Sequence, residues 1–214
     1  MRDIPLFTTA NGAASLYLKK IPFTKEAFVH IRDSLACDEL VKECIDVCRM
    51  AGAEQIYATG HENLKGYPLH CSVQGFSVQK DRLASTDAVA LPVSPHMRDW
   101  WRQIYNEKMA CVATASALSL TDVEKLIQEG KAYCIYRDCI ILGIGVCYDG
   151  LIHAVASVAP GSGRDSVLAL ADCMDCQTIC LSVASTNDRA IRLYRSLGFT
   201  EAETYSLWYK ISGC

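Results

Sequence analysis

"STNDRAIRLYRSLGF", residues 185–199, is the stretch on which the reading of this chain turns. Asn187 is a residue type whose side-chain oxygen takes up a free backbone N–H at the start of a helix. Ala190, Leu193, Tyr194 and Leu197 follow at helical spacing on one face, and Gly198 suits the left-handed residue that ends a helix. The spacing predicts a short helix capped by Asn187 and stopped by Gly198. Punctuation explains its ends but not its tyrosine. On an apolar face Phe or Leu needs no partner, whereas Tyr194 brings a hydroxyl that must find one. Arg189, Arg192 and Arg195 stand three apart and read as a solvated outer stripe.

Just upstream lies "HAVASVAPGSGRDSVLALAD", residues 153–172. An apolar strand ends near Val158, Pro160 follows, and Gly161-Ser162-Gly163 leads straight into a helix. Glycines let a backbone approach a ligand closely. The unpaired N–H groups of a first helical turn, with the helix dipole behind them, favour an anion such as a pyrophosphate. No Lys-Ser/Thr follows the glycines, so this is not a nucleoside-triphosphate loop, and a third glycine of the dinucleotide fingerprint is missing.

Working outward, strand-like and helix-like segments alternate throughout, which predicts an α/β (α+β) protein with a mixed sheet. "AYCIY", "IILGIGVCY" and "LIHAVASV" read as three strands joined by tight turns at Arg137-Asp138 and Asp149-Gly150, hence an antiparallel meander. "TICLSV" and "TYSLWYKI" read as further strands. "RDWWRQIYNEKMA" and "LTDVEKLIQEG" read as helices, the second capped by Thr121 or Asp122 and ended by Gly130, and Trp100 or Trp101 is expected in the core. In the first part, "SLYLKKI", "AFVHI", "QIYATG" and "LHCSVQGFSV" read as strands, the last interrupted by Gly75. "DELVKECIDVCRMAGA" reads as a helix with Leu40, Val41, Cys44, Val47 and Cys48 on one side. Pro92 and Pro95 mark a boundary, giving residues 1–92 as a smaller α/β unit and 93–214 as the main domain.

Composition narrows the functions available. The chain has 214 residues, half of them hydrophobic, and a formal net charge of −3. No basic surplus drives nucleic-acid binding. No apolar run reaches the roughly 20 residues that span a bilayer. The N-terminus has no leader pattern, so a cytoplasmic protein is expected, monomeric or homodimeric. Twelve cysteines are many, but most sit in apolar segments where Cys acts as a small hydrophobe. The cluster Cys173, Cys176, Cys180 has no second CxxC or paired His to complete a zinc set, so no metal is expected.

Together the two features resemble the GNAT family of acyl-CoA-dependent N-acyltransferases. Its signature N-x-x-A-x-x-L-Y-x-x-x-G-F stands complete as Asn187, Ala190, Leu193, Tyr194, Gly198 and Phe199, and "YNEKM" at 105–109 looks like a helical start of bacterial members. The resemblance covers roughly residues 97–214. It implies a twisted mixed sheet flanked by helices, with residues 1–92 a possible reduced copy lacking the glycine loop. It implies acetyl-CoA as co-substrate and a small-molecule amine or peptide N-terminus as acceptor. Val158 would pair through its backbone with the pantetheine arm, and Gly161, Ser162, Gly163 and Arg164 would hold the pyrophosphate. Asn187 would shape the pantetheine path, the strands around Val158 and Leu181 would splay to admit it, and Tyr194 would protonate the leaving thiolate. The family's usual Arg/Gln-x-x-Gly-x-Gly loop is shortened here, since Pro160 meets Gly161 at once; fewer N–H donors remain and Arg164 would add a direct charge. The base that takes the amine proton is read as His153, on the strand before the loop, ahead of Asp149 and Glu107. Two other classes compete: a degenerate acyl-CoA-binding or assembly protein, and a thiol-based metal or redox protein. His61, in the polar loop 59–68, has no partner in sequence that names a role.

Overall fold

The computed structural model describes residues 1–110, 112–113 and 115–212. The chain forms two compact units. Unit 1 comprises Met1–Val73, Ala110–Ala117 and Thr204–Cys214; unit 2 comprises Gln74–Met109 and Leu118–Glu203. Residue 92 therefore falls inside unit 2, and the last strand of the chain ends in unit 1. A composition shift marks a turn-rich surface loop, but it carries no information about which strands later pair.

Unit 1 contains β1 (Ile4–Thr9), β2 (Gly12–Tyr17), a one-turn helix α1 (Ile21–Thr24), β3 (Glu26–Ser34), α2 (Cys37–Met50), β4 (Gln55–Thr59) and the start of β5 (Leu69–Gln79). Its sheet runs β1-β2-β3-β4 and continues to the C-terminal strand of the chain. β1, β2 and β3 are antiparallel, and β3 and β4 are parallel, as the helix between them requires. Leu40, Val41, Cys44 and Cys48 are buried on α2 against Leu16, Val29 and Ile56, so that face forms as the periodicity predicts.

Unit 2 contains the end of β5, β6 (Val89–Pro92), α3 (Arg98–Ala110), α4 (Leu120–Gln128), β7 (Ala132–Arg137), β8 (Ile140–Tyr148), β9 (Leu151–Ser157), α5 (Gly163–Asp172), β10 (Thr178–Ala184), α6 (Asp188–Ser196) and the start of β11 (Thr200–Lys210). Its sheet runs β5-β10-β9-β8-β7-β6. The meander β7-β8-β9 is antiparallel and β9-β10 parallel. Apart from the one-turn α1 between β2 and β3, the strand–helix order of unit 1, β1-β2-β3-α2-β4, repeats that of unit 2, β7-β8-β9-α5-β10.

Several local details differ from the sequence expectation. Ser119, not Thr121 or Asp122, caps α4, in a reciprocal capping box with Asp122. The first meander turn is Asp138-Cys139, one residue later than expected, and both take left-handed φ (50° and 63°). Gly75 is buried within an unbroken β5. β1, α1 and β6 carry too few apolar residues, or too short a run, to announce themselves. α5 lies so close to β8 that a Cβ on Gly143 would sit 2.4 Å from Ser166 Oγ, and one on Gly145 2.4 Å from Leu170 Cδ1. Val167, Leu168, Leu170, Ile179, Leu181, Ile191, Tyr194, Leu197 and Phe199 are buried in the same core, each large side chain contributing roughly 1.5–3 kcal/mol by leaving water. Trp101 is fully buried and its indole N–H donates to the Tyr133 carbonyl at 3.0 Å. No helix of the described residues is long and apolar enough to cross a membrane.

Candidate active site

The site is built along β9. Val146 faces Ala154 and Cys147 faces Ile152, which leaves His153 as an extra residue on β9. A bulge of this kind bends the strand and re-aims a side chain. The exposed His153 stacks on Tyr148 with ring centroids 3.9 Å apart and planes 18° apart. Lys131 Nζ lies 4.2 Å from the centroid of the same Tyr148 ring. Desolvation of the imidazole, then the Lys131 charge, lowers the His153 pKa from 6.5, with Asp149 opposing. The imidazole is therefore neutral at neutral pH, the form that accepts a proton. Asp149 itself stays exposed in the turn, and Glu107 is exposed on α3.

Immediately past His153 the sheet opens. β9 and β10 pair at Leu151–Cys180 and Ile152–Leu181 and at no later position among the described residues. β9 continues against β8 alone as far as Ser157 opposite Gly143. Parallel strands that part leave one edge of β9 with unpaired backbone groups, which need a partner. His153 thus stands at the apex of the opening and the glycine loop at its mouth.

At the mouth, the N–H groups of Val158 and Ala159 both donate to the Leu142 carbonyl, at 2.8 and 3.0 Å. The expected pairing of Val158 with a ligand is thereby limited to its carbonyl. Ser162 is buried, and its hydroxyl lies 2.6 Å from the Leu142 carbonyl and 2.7 Å from that of Ala159. Its side chain braces the loop and is turned away from any bound anion. Gly161 has φ 80° with open space where a side chain would stand. Ser162 caps no N–H with its side chain, so the amides of Gly163, Arg164 and Asp165 open the helix without a cap. Arg164 is exposed and has no ion-pair partner among the described residues. Asp165, which would repel an anion there, is occupied by Arg137 at 3.1 Å and Thr86 at 3.1 Å.

The helix of the opening motif closes the cluster. Asn187 Oδ1 accepts the Ala190 N–H at 3.2 Å, the cap its type predicts. A Cβ on Gly163 would lie 3.1 Å from Leu193 Cδ2 and 3.3 Å from Ser157 Oγ, which places the ends of β9 and α5 beside α6. The Tyr194 ring is buried, 5.9 Å from the Phe199 ring, and burial pushes its pKa up to about 12. Its hydroxyl neither bonds to protein nor is fully enclosed among the described residues. A protonated donor without a protein partner is what a proton-transfer role requires. Arg189, Arg192 and Arg195 are exposed, and Arg195 pairs with Glu201 at 3.4 Å. His61 lies in unit 1, where its Nδ1 accepts the Asn63 N–H at 3.2 Å and caps a single 3₁₀ turn.

Sequence reasoning missed the bulge, the Lys131–Tyr148–His153 stack and the bracing role of Leu142. A bulge leaves no mark in periodicity, and the stack joins residues that meet only after the meander folds. Among the described residues, no group of three or more His, Cys, Asp or Glu is placed to hold a metal ion. Burial pushes the Cys44 and Cys48 pKa values up to about 12, which leaves them inert.

Known structures resemble this architecture. The chain is 12% identical to a GCN5-related N-acetyltransferase of Sphaerobacter thermophilus, with a TM-score of 0.54 over 93% of this chain and 76% of that one. An acetyltransferase of the GNAT family from Colwellia psychrerythraea is 14% identical, with a TM-score of 0.53 over 96% and 84%. A GCN5-related N-acetyltransferase from Anabaena variabilis is 8% identical, with a TM-score of 0.61 over 92% of this chain and 59% of that one. The fold is the GNAT fold. By sequence, neither a protein-family model nor a curated protein matches the chain. The structural likeness is not confined to residues 97–214, where the motif stands, but takes in the first unit too.

Proposed function

We propose that the chain transfers an acetyl group from acetyl-CoA to a primary amine, on a small molecule or a peptide N-terminus. One observation carries the reading: a parallel strand pair that parts beside an uncapped helix N-terminus, with a tyrosine hydroxyl that bonds to none of the described residues on the helix that follows. The residues present fit the co-substrate. The open edge of β9 and the Val158 carbonyl suit a pantetheine amide chain, and the amides of Gly163, Arg164 and Asp165 with the Arg164 charge suit its pyrophosphate. Bound acetyl-CoA supplies an acetyl group activated as a thioester.

In this reading His153 takes the proton that the amine gives up as its nitrogen forms the new C–N bond. Tyr194 gives its proton to the sulfur as the C–S bond breaks, and its raised pKa keeps that proton in place at neutral pH. Proton count is kept when Tyr194 is reloaded from water and His153 releases its proton there. A second reading, a degenerate domain without turnover that binds acyl-CoA or nothing, is favoured by the commitment of Val158, Ala159 and Ser162 to Leu142 and Ala159, which removes donors from the loop.

Calorimetric titration of acetyl-CoA into the protein tests the site, repeated with desulfo-CoA and with Gly163→Asp. Micromolar binding that the variant loses is expected. No binding to the unaltered protein would overturn the proposal. Binding followed by no transfer to any of a panel of amines would favour the second reading.

A further inference from the structure

Apart from that site, unit 2 holds a pair of thiols the proposed chemistry does not use. Cys147 lies on β8 beside the His153 bulge, buried, and Cys173 lies at the end of α5, exposed. Their Sγ atoms are 3.7 Å apart. We infer that Cys173 is a peroxide-reactive thiol and Cys147 its resolving partner, so that this site forms a reversible disulfide under hydroperoxide.

Three observations converge on the pair. The first is order: Cys173 is an exposed residue, and its sulfur sits 3.7 Å from that of the buried Cys147. The second is charge. A helix C-terminus carries negative carbonyl ends that disfavour a thiolate. Here Lys80 Nζ takes up the Asp172 and Met174 carbonyls at 2.9 and 2.6 Å, on either side of Cys173 in sequence, and brings a positive charge beside the sulfur. Asp172 opposes that charge. The Cys173 thiol donates to the Leu170 carbonyl at 3.2 Å, a bond given up on ionisation, and also meets the Tyr133 side chain. The third is proton position. The Cys147 contact lowers the Cys173 pKa, while that contact and burial raise the Cys147 pKa, so of the two sulfurs Cys173 is the one that gives up its proton more readily. Thiolate character at the reachable member is what peroxide chemistry requires.

The reaction balances. The Cys173 thiolate attacks one oxygen of the hydroperoxide and the O–O bond breaks. An alcohol or water leaves with a proton, and the sulfur becomes a sulfenic acid, oxidised by two electrons. Cys147 then attacks that sulfur, its own proton joining the departing hydroxide as water, and an S–S bond replaces the S–OH bond. The product ties β8, at the residue facing the His153 bulge, to the end of the helix whose start carries the glycine loop.

Full-length protein carrying Cys139→Ser, treated with one equivalent of hydrogen peroxide and alkylated, tests this by mass spectrometry. Cleavage before aspartate isolates Cys147 in 138–148 and Cys173 in 172–174, apart from Cys176 and Cys180 in 175–187. A linked 138–148/172–174 pair, reversed by dithiothreitol, is expected. In Cys147→Ser, Cys173 should instead carry a dimedone-trapped sulfenic acid. In protein that keeps Cys139, the exposed turn thiol is expected to oxidise about tenfold more slowly or less. A link from Cys173 to Cys176, intermolecular dimers, or a Cys173 no faster than Cys139 would each overturn the assignment. The readout is independent of acetyl-CoA binding, so it stands or falls apart from the proposed transfer.

Discussion

Strands β3 and β4 of unit 1 stay in parallel register from Glu26–Gln55 to His30–Thr59, whereas β9 and β10 of unit 2 part after Ile152–Leu181. The two pairs occupy the same place in the same strand–helix order, and the difference teaches what makes a cleft. In unit 1, Gly60 (φ 99°) presses against β3: a Cβ there would lie 2.3 Å from the Ile31 carbonyl oxygen and 2.6 Å from His30 Cδ2. The loops before the two helices are alike: the Leu35 and Ala36 amides donate to the Asn11 carbonyl at 2.9 and 3.1 Å, as those of Val158 and Ala159 do to Leu142, and neither α2 nor α5 has a side-chain cap. Asp38 and Glu39 fill the first turn of α2, and a single 3₁₀ turn at Glu62–Gly66 stands where unit 2 has α6. Unit 1 keeps its two strands paired as far as Thr59; unit 2 lets them part beside a helix start.

The largest effect that could break this contrast is on binding. Gly163→Asp puts a carboxylate and a Cβ against Leu193 and Ser157 and is expected to weaken acetyl-CoA binding by about a hundredfold or more. Ala36→Asp, at the corresponding helix start of unit 1, should leave it unchanged by calorimetry. Equal losses would mean that the two helix starts are not different in kind. Next, Tyr194→Phe is expected to lower kcat about a hundredfold with KM within about twofold. Its thermal midpoint should stay put, since the lost hydroxyl bonds to none of the described residues. A midpoint that falls while kcat holds would make Tyr194 a core residue only.

Third in size is a stability effect confined to unit 1. Gly60→Ala forces a side chain into a left-handed residue pressed on backbone and should cost about 1–3 kcal/mol in urea unfolding. Gly161→Ala, at φ 80° but with open space around it, should cost about 1 kcal/mol. The smallest effect is in the pH profile. A base must be unprotonated to act, and His153 titrates below its ordinary 6.5, so kcat/KM should rise with pH along a limb centred below that value and then level off. Lys131→Met removes one cause of the shift and should move the limb to higher pH. His153→Gln should abolish it, and a limb that survives this change would assign the base elsewhere.

Much of this was legible in the chain. The helix at 188–196, its Asn187 cap and Gly198 stop, the meander and the α5 loop all follow from signals a few residues long. Ser162 shows where such reading stops. A serine in a glycine loop looks like an anion contact, yet its hydroxyl turns inward to Leu142, twenty residues earlier, and nothing local says so. His153 was legible as a histidine on a strand, but not as the bulged residue at the apex of an opening.

Most helices and strands, and much of the punctuation between them, could be read from the residues alone, because capping, turn geometry and hydrophobic period act between near neighbours; β1, α1 and β6 could not. Only the tertiary structure decided which strands share an edge. β5 begins in unit 1 and ends in unit 2, and β11 does the reverse. Pairing of that kind depends on which distant backbone groups find partners, and so does its absence past Ile152. The cleft exists because two strands far apart in the chain stop bonding, a fact that no window of residues contains.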